Sequence, residues 1–320
     1  MKILFISSTR IGDAILSKGI LKYLLDTYPH ASFTVVCGHL PAPLFADMPR
    51  VERLIVLEQQ RSLKRWYNLW KECRKTRFDQ VIDLRGSLLA YFLSAKKRFV
   101  WKKNHSTTHR IQQLASLLHL KETPMPYVHL SKERQDKANE LFDFLSSPVI
   151  ALAPAANWVG KEWPIDRFIE LAQRIRKTIP GFEKACFAIF AAPHERDQIQ
   201  PLYQAFENHE ILDCVGRVDL LTSAALLKKC ALFIGNDSGL MHLSAAVGTP
   251  TFGLFGPSRD EHYAPQGIST DYVRTPESYE ELMARHQSGQ GGSLMTSLTV
   301  DMVLERIQGF VKHCDLKEAL

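Results

Sequence analysis

Glycine-rich phosphate loops, paired cysteines and long apolar runs are all missing from this 320-residue chain. Six cysteines (Cys37, Cys73, Cys186, Cys214, Cys230 and Cys314) are scattered with no CxxC and no short repeat, which argues against a zinc site and against a disulfide framework. Reduced, mostly buried thiols are the expected state. No window offers the uncharged apolar run of about 20 residues that a membrane-spanning helix needs. The first residues, MKILFISSTRIGD, hold an apolar stretch too short for a secretory signal and no small-residue cleavage site, so a cytoplasmic location is expected. The SSTRIGD turn has one glycine where the GxGxxG of a nicotinamide-dependent oxidoreductase carries three. Signatures of RNA- or DNA-binding modules are missing too, so no nucleic-acid partner is expected. Low-complexity tracts and short internal repeats are absent.

What the chain does hold is a soluble, globular composition, 45% hydrophobic and 23% charged, at a length comfortable for two domains. A net charge of +6 favours anionic partners; phosphorylated metabolites, nucleic acid and anionic lipid all qualify, and net charge does not separate them. Residues 3–6 (ILFI), bounded by SST, read as a buried parallel strand. Gly12-Asp13 then opens a helical pattern with Ile20, Leu21, Leu24 and Leu25 on one side. Strands are predicted at 33–38, 54–57 and 80–84, then at 149–152, 186–190, 231–234 and 251–255, with an amphipathic helix over 166–177. This alternation implies an α/β fold of parallel sheets covered by helices, in two halves, 1–147 and 148–320. QSGQGGS (287–293) is the one clearly flexible loop.

The segment GNDSGLMHLSAAVGTPTFGLFGPS (235–258) places glycine, aspartate and serine at the start of a predicted helix over 240–247, with Leu240, Leu243 and Val247 toward the core. A helix N-terminus presents unpaired N–H groups and a partial positive charge, a natural seat for phosphate. Gly239 lets the main chain come close to a ligand, and such turns fall beyond the carboxyl ends of strands, where open α/β sheets bind ligands. The competing reading makes Asp237 or Ser238 a plain N-cap and His242 a surface residue of the first turn.

Residues 235–242, with Ala245-Ala246, Gly248-Thr249-Pro250 and Phe255-Gly256-Pro257, resemble the donor-site signature of glycosyltransferase family 9, the ADP-heptose:lipopolysaccharide heptosyltransferases and their relatives. Arg10-Ile11-Gly12-Asp13, followed by Tyr28-Pro29, resembles the family's N-terminal segment. Phe78-Asp79 with Val81-Ile82-Asp83-Leu84 resembles its central strand, and Ala153-Pro154-Ala155-Ala156, Lys161-Glu162-Trp163-Pro164 and Phe168 resemble the opening of its C-terminal domain. Residues 298–303 are similar to the usual entry to its last helix. Departures are the serine at Ser238, where many members carry threonine, and FAAPHER (190–196), which matches a glycine-rich segment loosely.

The resemblance implies a GT-B fold, two Rossmann-like domains with parallel sheets facing a cleft, acceptor on 1–147 and nucleotide-sugar donor on 148–320. It implies inverting, metal-independent transfer of heptose from ADP-heptose to the lipopolysaccharide core (Kdo or heptose), with no cofactor. Asp13 matches the general base, though a carboxylate there is also a normal N-cap, and a helix N-terminus weakens it as a base. Lys161 matches the donor-phosphate lysine, its alternative being a solvated loop residue. Asn236, Asp237, Ser238, Gly239, His242 and, more loosely, Glu195 complete the donor set. Arg10, Gly12, Arg61 and Lys64 are the acceptor candidates. No DxD metal motif occurs, and Glu195-Arg196-Asp197 is only an approach to one. The segment RSLKRWYNLWKECRKTR (61–77), as a helix, carries Trp66, Trp70 and Cys73 on one side and Lys64, Lys71 and Lys75 on another. With a second basic cluster at Lys96–Lys103, which carries Trp101, it fits peripheral contact with the inner face of the cytoplasmic membrane, or simply a solvated face over a buried aromatic stripe. A sugar other than heptose, another acceptor, or a phosphosugar binder without turnover are the remaining readings.

Overall fold

Nine strand pairings join the described strands, all of them parallel, so every connection must cross over, and helices supply the crossovers. The computed structural model describes residues 1–57, 63–102, 107–145, 147–207, 211–289 and 291–314, in two compact units, Met1–His129 and Leu130–Leu320.

The first unit runs β1 (Lys2–Ile6), α1 (Ile11–Thr27), β2 (Ser32–Gly38), α2 (Pro43–Ala46), β3 (Val51–Leu57), α3 (Leu63–Cys73), β4 (Phe78–Asp83), a 3₁₀ turn (Leu88–Phe92), β5 (Ala95–Val100) and α4 (Arg110–Leu117). Its sheet order is β3-β2-β1-β4-β5. The central strand β1 is buried from Ile3 to Ile6 because it is flanked on both edges and covered on both faces, which is why an unbroken apolar run codes it. α1 is buried so widely that it includes Lys18, whose ammonium donates to the Leu44 carbonyl beside the Phe45 ring. Burial lowers the Lys18 pKa to about 7, with the charge of Asp47 pulling the other way.

The second unit runs α5 (Lys132–Phe142), β6 (Val149–Ala153), a 3₁₀ turn (Val159–Lys161), α6 (Ile165–Thr178), β7 (Cys186–Ile189), a second 3₁₀ turn (Pro193–Glu195) and α7 (Arg196–Ala205). It continues with β8 (Ile211–Asp213), α8 (Leu220–Lys229), β9 (Leu232–Asn236), α9 (Gly239–Ala246), β10 (Thr251–Phe255), α10 (Asp260–Tyr263), β11 (Thr270–Arg274), α11 (Tyr279–Gln287) and α12 (Val300–His313). Sheet order is β11-β10-β9-β6-β7-β8. Trp163, Phe168, Phe187 and Phe206 are fully buried in its core, each phenylalanine worth about 2 kcal/mol of apolar transfer.

The strands predicted in the interior of each sheet are where the sequence pattern places them. No strand is predicted for β5, β8 or β11, all at sheet edges. The second unit also begins earlier than 148: α5 packs on α8, with Ala138 buried and Arg134 paired to Asp219. Five cysteines are buried and free, and Cys314 is half-buried and free. Burial pushes the thiols of Cys37 and Cys214 up to about 12 and that of Cys73 to about 11. No helix among the described residues is long and apolar enough to cross a membrane.

Candidate functional site

In a sheet ordered β3-β2-β1-β4-β5, the chain reverses its direction of progress between β1 and β4, and the loops leaving those two strands part to leave a crevice. The loop after β1 carries Ser8, Thr9 and Arg10 into α1; the loop after β4 carries Leu84 to Ser87. Asp13 lies in the first turn of α1, half-buried, with the Ser8 hydroxyl 3.5 Å from its Oδ2. A cavity of about 260 Å³ opens here, lined among others by Asp13, Arg10, Arg85, Arg110 and Trp101.

Two glycines make this geometry attainable. Gly38 N–H donates to the Ser8 carbonyl at 3.1 Å, and a Cβ on Gly38 would stand 2.6 Å from the Thr9 Cα, so the loop packs flat only against glycine. Gly86 has φ +67° and approaches the Trp101 carbonyl so closely that a Cβ would clash. The buried Asp83 holds the same turn by accepting from the Arg85 and Ser87 N–H groups, both at 2.9 Å, and from the Ser87 hydroxyl. Burial raises its carboxyl pKa while these hydrogen bonds oppose the rise. Asp83 thereby fixes the backbone of Arg85, whose guanidinium lies over the Trp66 ring, 5.6 Å from guanidinium carbon to ring centroid. Arg110 is stacked on Trp101, 3.9 Å from guanidinium carbon to ring centroid.

The N-cap position of α1 belongs to Arg10, which makes no side-chain cap bond, so the capping alternative for Asp13 does not hold. Gly12 sits beside Asp13 in the first turn of α1. Lys64 is exposed on α3 and is not among the residues lining this cavity, and Arg61 lies outside the described residues.

The second unit repeats the arrangement. Its sheet reverses between β6 and β9, and the loops leaving them bring Pro154 to Lys161 beside Asn236 to Ser238. Asn236 is fully buried and structural in its contacts: Nδ2 donates to the Pro154 carbonyl at 2.6 Å and Oδ1 accepts from the Trp163 N–H at 3.1 Å, tying the two loops together. Trp163 anchors that segment, its indole N–H donating to the Leu298 carbonyl at 2.8 Å. Lys161 pairs with Asp237 at 2.6 Å, so it is not a solvated loop residue. His242 Nε2 lies 4.0 Å from the other Asp237 oxygen, and the ring is buried rather than on the surface.

Ser238 occupies the N-cap position of α9 but makes no cap bond, and its buried hydroxyl oxygen has no hydrogen-bond partner among the described residues. The plain-cap reading of Asp237 and Ser238 therefore fails, because one is committed to Lys161 and the other to nothing. Gly239 opens α9, whose N-terminal N–H groups point out at the carboxyl end of the sheet. The helix is buried at Met241 to Ala245, while Leu240 and Val247 are only half-buried, so its core side differs from the predicted one. Glu195 lies in the 3₁₀ turn after β7 and accepts from the Ala192 N–H at 2.7 Å. Burial raises its carboxyl pKa, against the pull of that bond. Arg196 is tied to Asp213, and among the described residues no three His, Cys, Asp or Glu side chains gather as a metal site.

Arg85 and Arg110 are cavity residues that sequence reasoning did not single out, while Trp101 was read only as part of the basic cluster at 96–103. Arg85 could have been found from its place two residues past the end of β4. Nothing in the local sequence marks Arg110, which reaches the cavity from α4.

Two units of this kind, each with its crevice at the carboxyl ends of parallel strands, are the architecture of the GT-B glycosyltransferases. A crystal structure of a family 9 glycosyltransferase from Veillonella parvula superposes with a TM-score of 0.81 at 20% identity, covering 98% of this chain and 97% of the other. The Escherichia coli ADP-heptose lipopolysaccharide heptosyltransferase II structure gives 0.76 at 20% identity, covering 98% and 100%. Among curated proteins, lipooligosaccharide heptosyltransferase 2 of Haemophilus influenzae is 24% identical over 96% of this chain and 98% of its own length. The family model for glycosyltransferase family 9 (heptosyltransferase) matches residues 66–289, and the chain belongs to that family. It is a glycosyltransferase.

Proposed function

We propose that the protein transfers a heptose from ADP-heptose to the inner core of lipopolysaccharide, with inversion at the anomeric carbon and without a metal ion, in the cytoplasm. The observation that carries the reading is the cavity at the switch point of the first sheet, lined by Asp13 together with Arg10, Arg85 and Arg110. Curated relatives matched over nearly the full length bear the heptosyltransferase name.

In this reading the acceptor hydroxyl gives its proton to Asp13 as its oxygen attacks the anomeric carbon from the face opposite the diphosphate. The bond from that carbon to the diphosphate oxygen breaks, and its electron pair leaves with ADP. Arg10, Arg85 and Arg110 grip the anionic groups of an inner-core sugar, which their fixed charge and planar donor forks suit. On the second unit, Lys161 and the α9 N–H groups neutralise charge developing on the leaving diphosphate. The unpartnered Ser238 hydroxyl and His242 supply further donors. Glu195, half-buried at the carboxyl end of β7, is the weaker donor contact. Arg61 and Lys64 remain acceptor candidates only for a longer acceptor, since Lys64 is not part of the Asp13 cavity.

The test is ADP release from ADP-heptose with Kdo-bearing lipid A as acceptor, in chelator, beside the same assay with UDP- and GDP-sugars. Release specific to ADP-heptose and indifferent to chelator is expected. Release from another nucleotide-sugar alone would replace the donor, and dependence on added cation would remove the metal-independent route.

A further inference from the structure

Lys161 stands in a turn that does little to hold itself. The 3₁₀ turn Val159–Lys161 is three residues long, its N-cap residue Trp158 makes no side-chain cap bond, and Val159 is 51% exposed. It closes through the Lys161 N–H on the Trp158 carbonyl at 2.9 Å and the Glu162 N–H on the Val159 carbonyl at 3.0 Å. A single 3₁₀ turn is marginal unless other parts of the chain fix it. An ammonium on a flexible stem also reaches a phosphate only as well as its backbone is placed.

The fixing comes from 131 residues further along the chain. The Ser293 hydroxyl donates to the Glu162 carbonyl at 2.5 Å, and the Leu294 N–H donates to the Gly160 carbonyl at 3.1 Å. The residues on either side of Lys161 are thus both held. Ser293 in turn accepts from the Met295 N–H at 3.1 Å. Met295 is fully buried and packs against Gly256 in the turn leaving β10, where an added Cβ would stand 2.4 Å from its Cγ.

Further on, the Leu298 carbonyl accepts from the Trp163 indole and from Arg167, and Ser297 donates to the Glu277 carboxylate beyond β11. Residues 293–298 therefore tie together the loops leaving β6, β10 and β11, on both sides of β9 and its loop at 236–238. The segment read from the sequence as flexible, 287–293, ends on a pinned residue.

We infer that Ser293 is a positioning residue for Lys161, holding the main chain of its turn while Asp237 holds its ammonium. The inference rests on the reading of Lys161 as the diphosphate contact. Ser293 touches no substrate in this account and acts through Lys161. Its place in the strap favours that role over a purely structural one. Met295 and Leu298 are fully buried and carry the packing, whereas Ser293 is half-buried at the strap's edge and its hydroxyl is spent on the Lys161 turn.

The experiment is calorimetric titration of ADP, with UDP and GDP beside it, into wild type, Ser293→Ala, Ser293→Thr, Lys161→Ala and the Ser293→Ala/Lys161→Ala double variant. Free nucleotides report the diphosphate contact whichever sugar the protein transfers. Ser293→Ala is expected to weaken the nucleotide that wild type binds by about five- to tenfold, and Ser293→Thr, which keeps the hydroxyl, by less than about twofold. With Lys161 already alanine, losing Ser293 should cost less than about twofold, because the two act as one unit. Without nucleotide, the Lys161 and Glu162 amides should exchange hydrogen faster in Ser293→Ala while those of β6 are unchanged, which also shows that the variant is folded. Equal losses in both backgrounds, unchanged affinity in Ser293→Ala, or unchanged exchange at Lys161 and Glu162 would overturn the inference and leave the Lys161 reading standing. Lys161→Ala binding as tightly as wild type, or wild type binding none of the three nucleotides, would remove that reading and the inference with it.

Discussion

Lys161 does not wait free for a phosphate; Asp237 already holds it at 2.6 Å in a buried corner. In the proposed reaction a diphosphate arriving at α9 would share that ammonium, which the Asp237 carboxylate keeps aimed between turnovers. Lys161→Ala is expected to lower kcat/KM for donor by about 10²-fold, the loss typical of one pre-aimed donor at a developing oxyanion, measured by steady-state ADP release. Lys18 presents the opposite case, a buried cation with no carboxylate within bonding distance. Its folded pKa, about 7, lies below the unfolded value of 10.5, so the unfolded chain binds more protons between those limits and stability rises with pH across that window. The advantage is complete above the unfolded pKa and is lost as pH falls through about 7. Buried thiols act in the other direction above about pH 9, because unfolding releases their protons. Comparison with Lys18→Met removes that shared effect. The gain in unfolding free energy from pH 7 to 9 should be about 2 kcal/mol larger for wild type than for the variant, read by denaturant titration.

The strands most legible in the sequence are those buried on both sides. β1, β6, β9 and β10 are largely apolar because neighbours flank them and helices cover them. β5, β8 and β11 were not legible, since a sheet edge permits Lys96, Lys97 and Arg98 in one strand and Thr270 and Asp271 in another. The same physics misplaced the core side of α9, which is enclosed along most of its length, so that periodicity carries little information. α5 was unreadable for a different reason: it is nearly all polar, with Ala138 its buried residue, and its membership in the second unit rests on pairing with α8. A chain starting at residue 130 is accordingly expected to melt several degrees above one starting at 148, because the shorter one exposes the α5-facing side of α8 and strands Asp219. Equal melting temperatures by calorimetry would place α5 outside the unit.

Both sheets put their crevices where strand order reverses, between β1 and β4 and between β6 and β9, and most of the residues singled out from the sequence fall at those two points, Lys64 and Glu195 excepted. Asp13 and Arg10 come to one, Lys161, Asn236, Asp237, Ser238 and His242 to the other. Their grouping was legible because loops leaving central strands are short and tied to strand ends. Arg85 and Arg110 were not, because they reach the Asp13 cavity from separate stretches of chain. In the proposed reaction the first unit supplies the base and the second the charge that receives ADP.

The decisive measurement is single-turnover ADP release by wild type and Asp13→Asn, with the dissociation constant for ADP-heptose determined on each protein. The expected result is a rate lower by about 10³-fold in the variant with donor affinity unchanged, since a general base typically contributes 10²- to 10⁴-fold and the donor is assigned to the other unit. A variant that turns over at the wild-type rate, or one whose loss is explained by donor affinity, would contradict Asp13 as the base and leave the glycosyltransferase without the proton acceptor proposed for it.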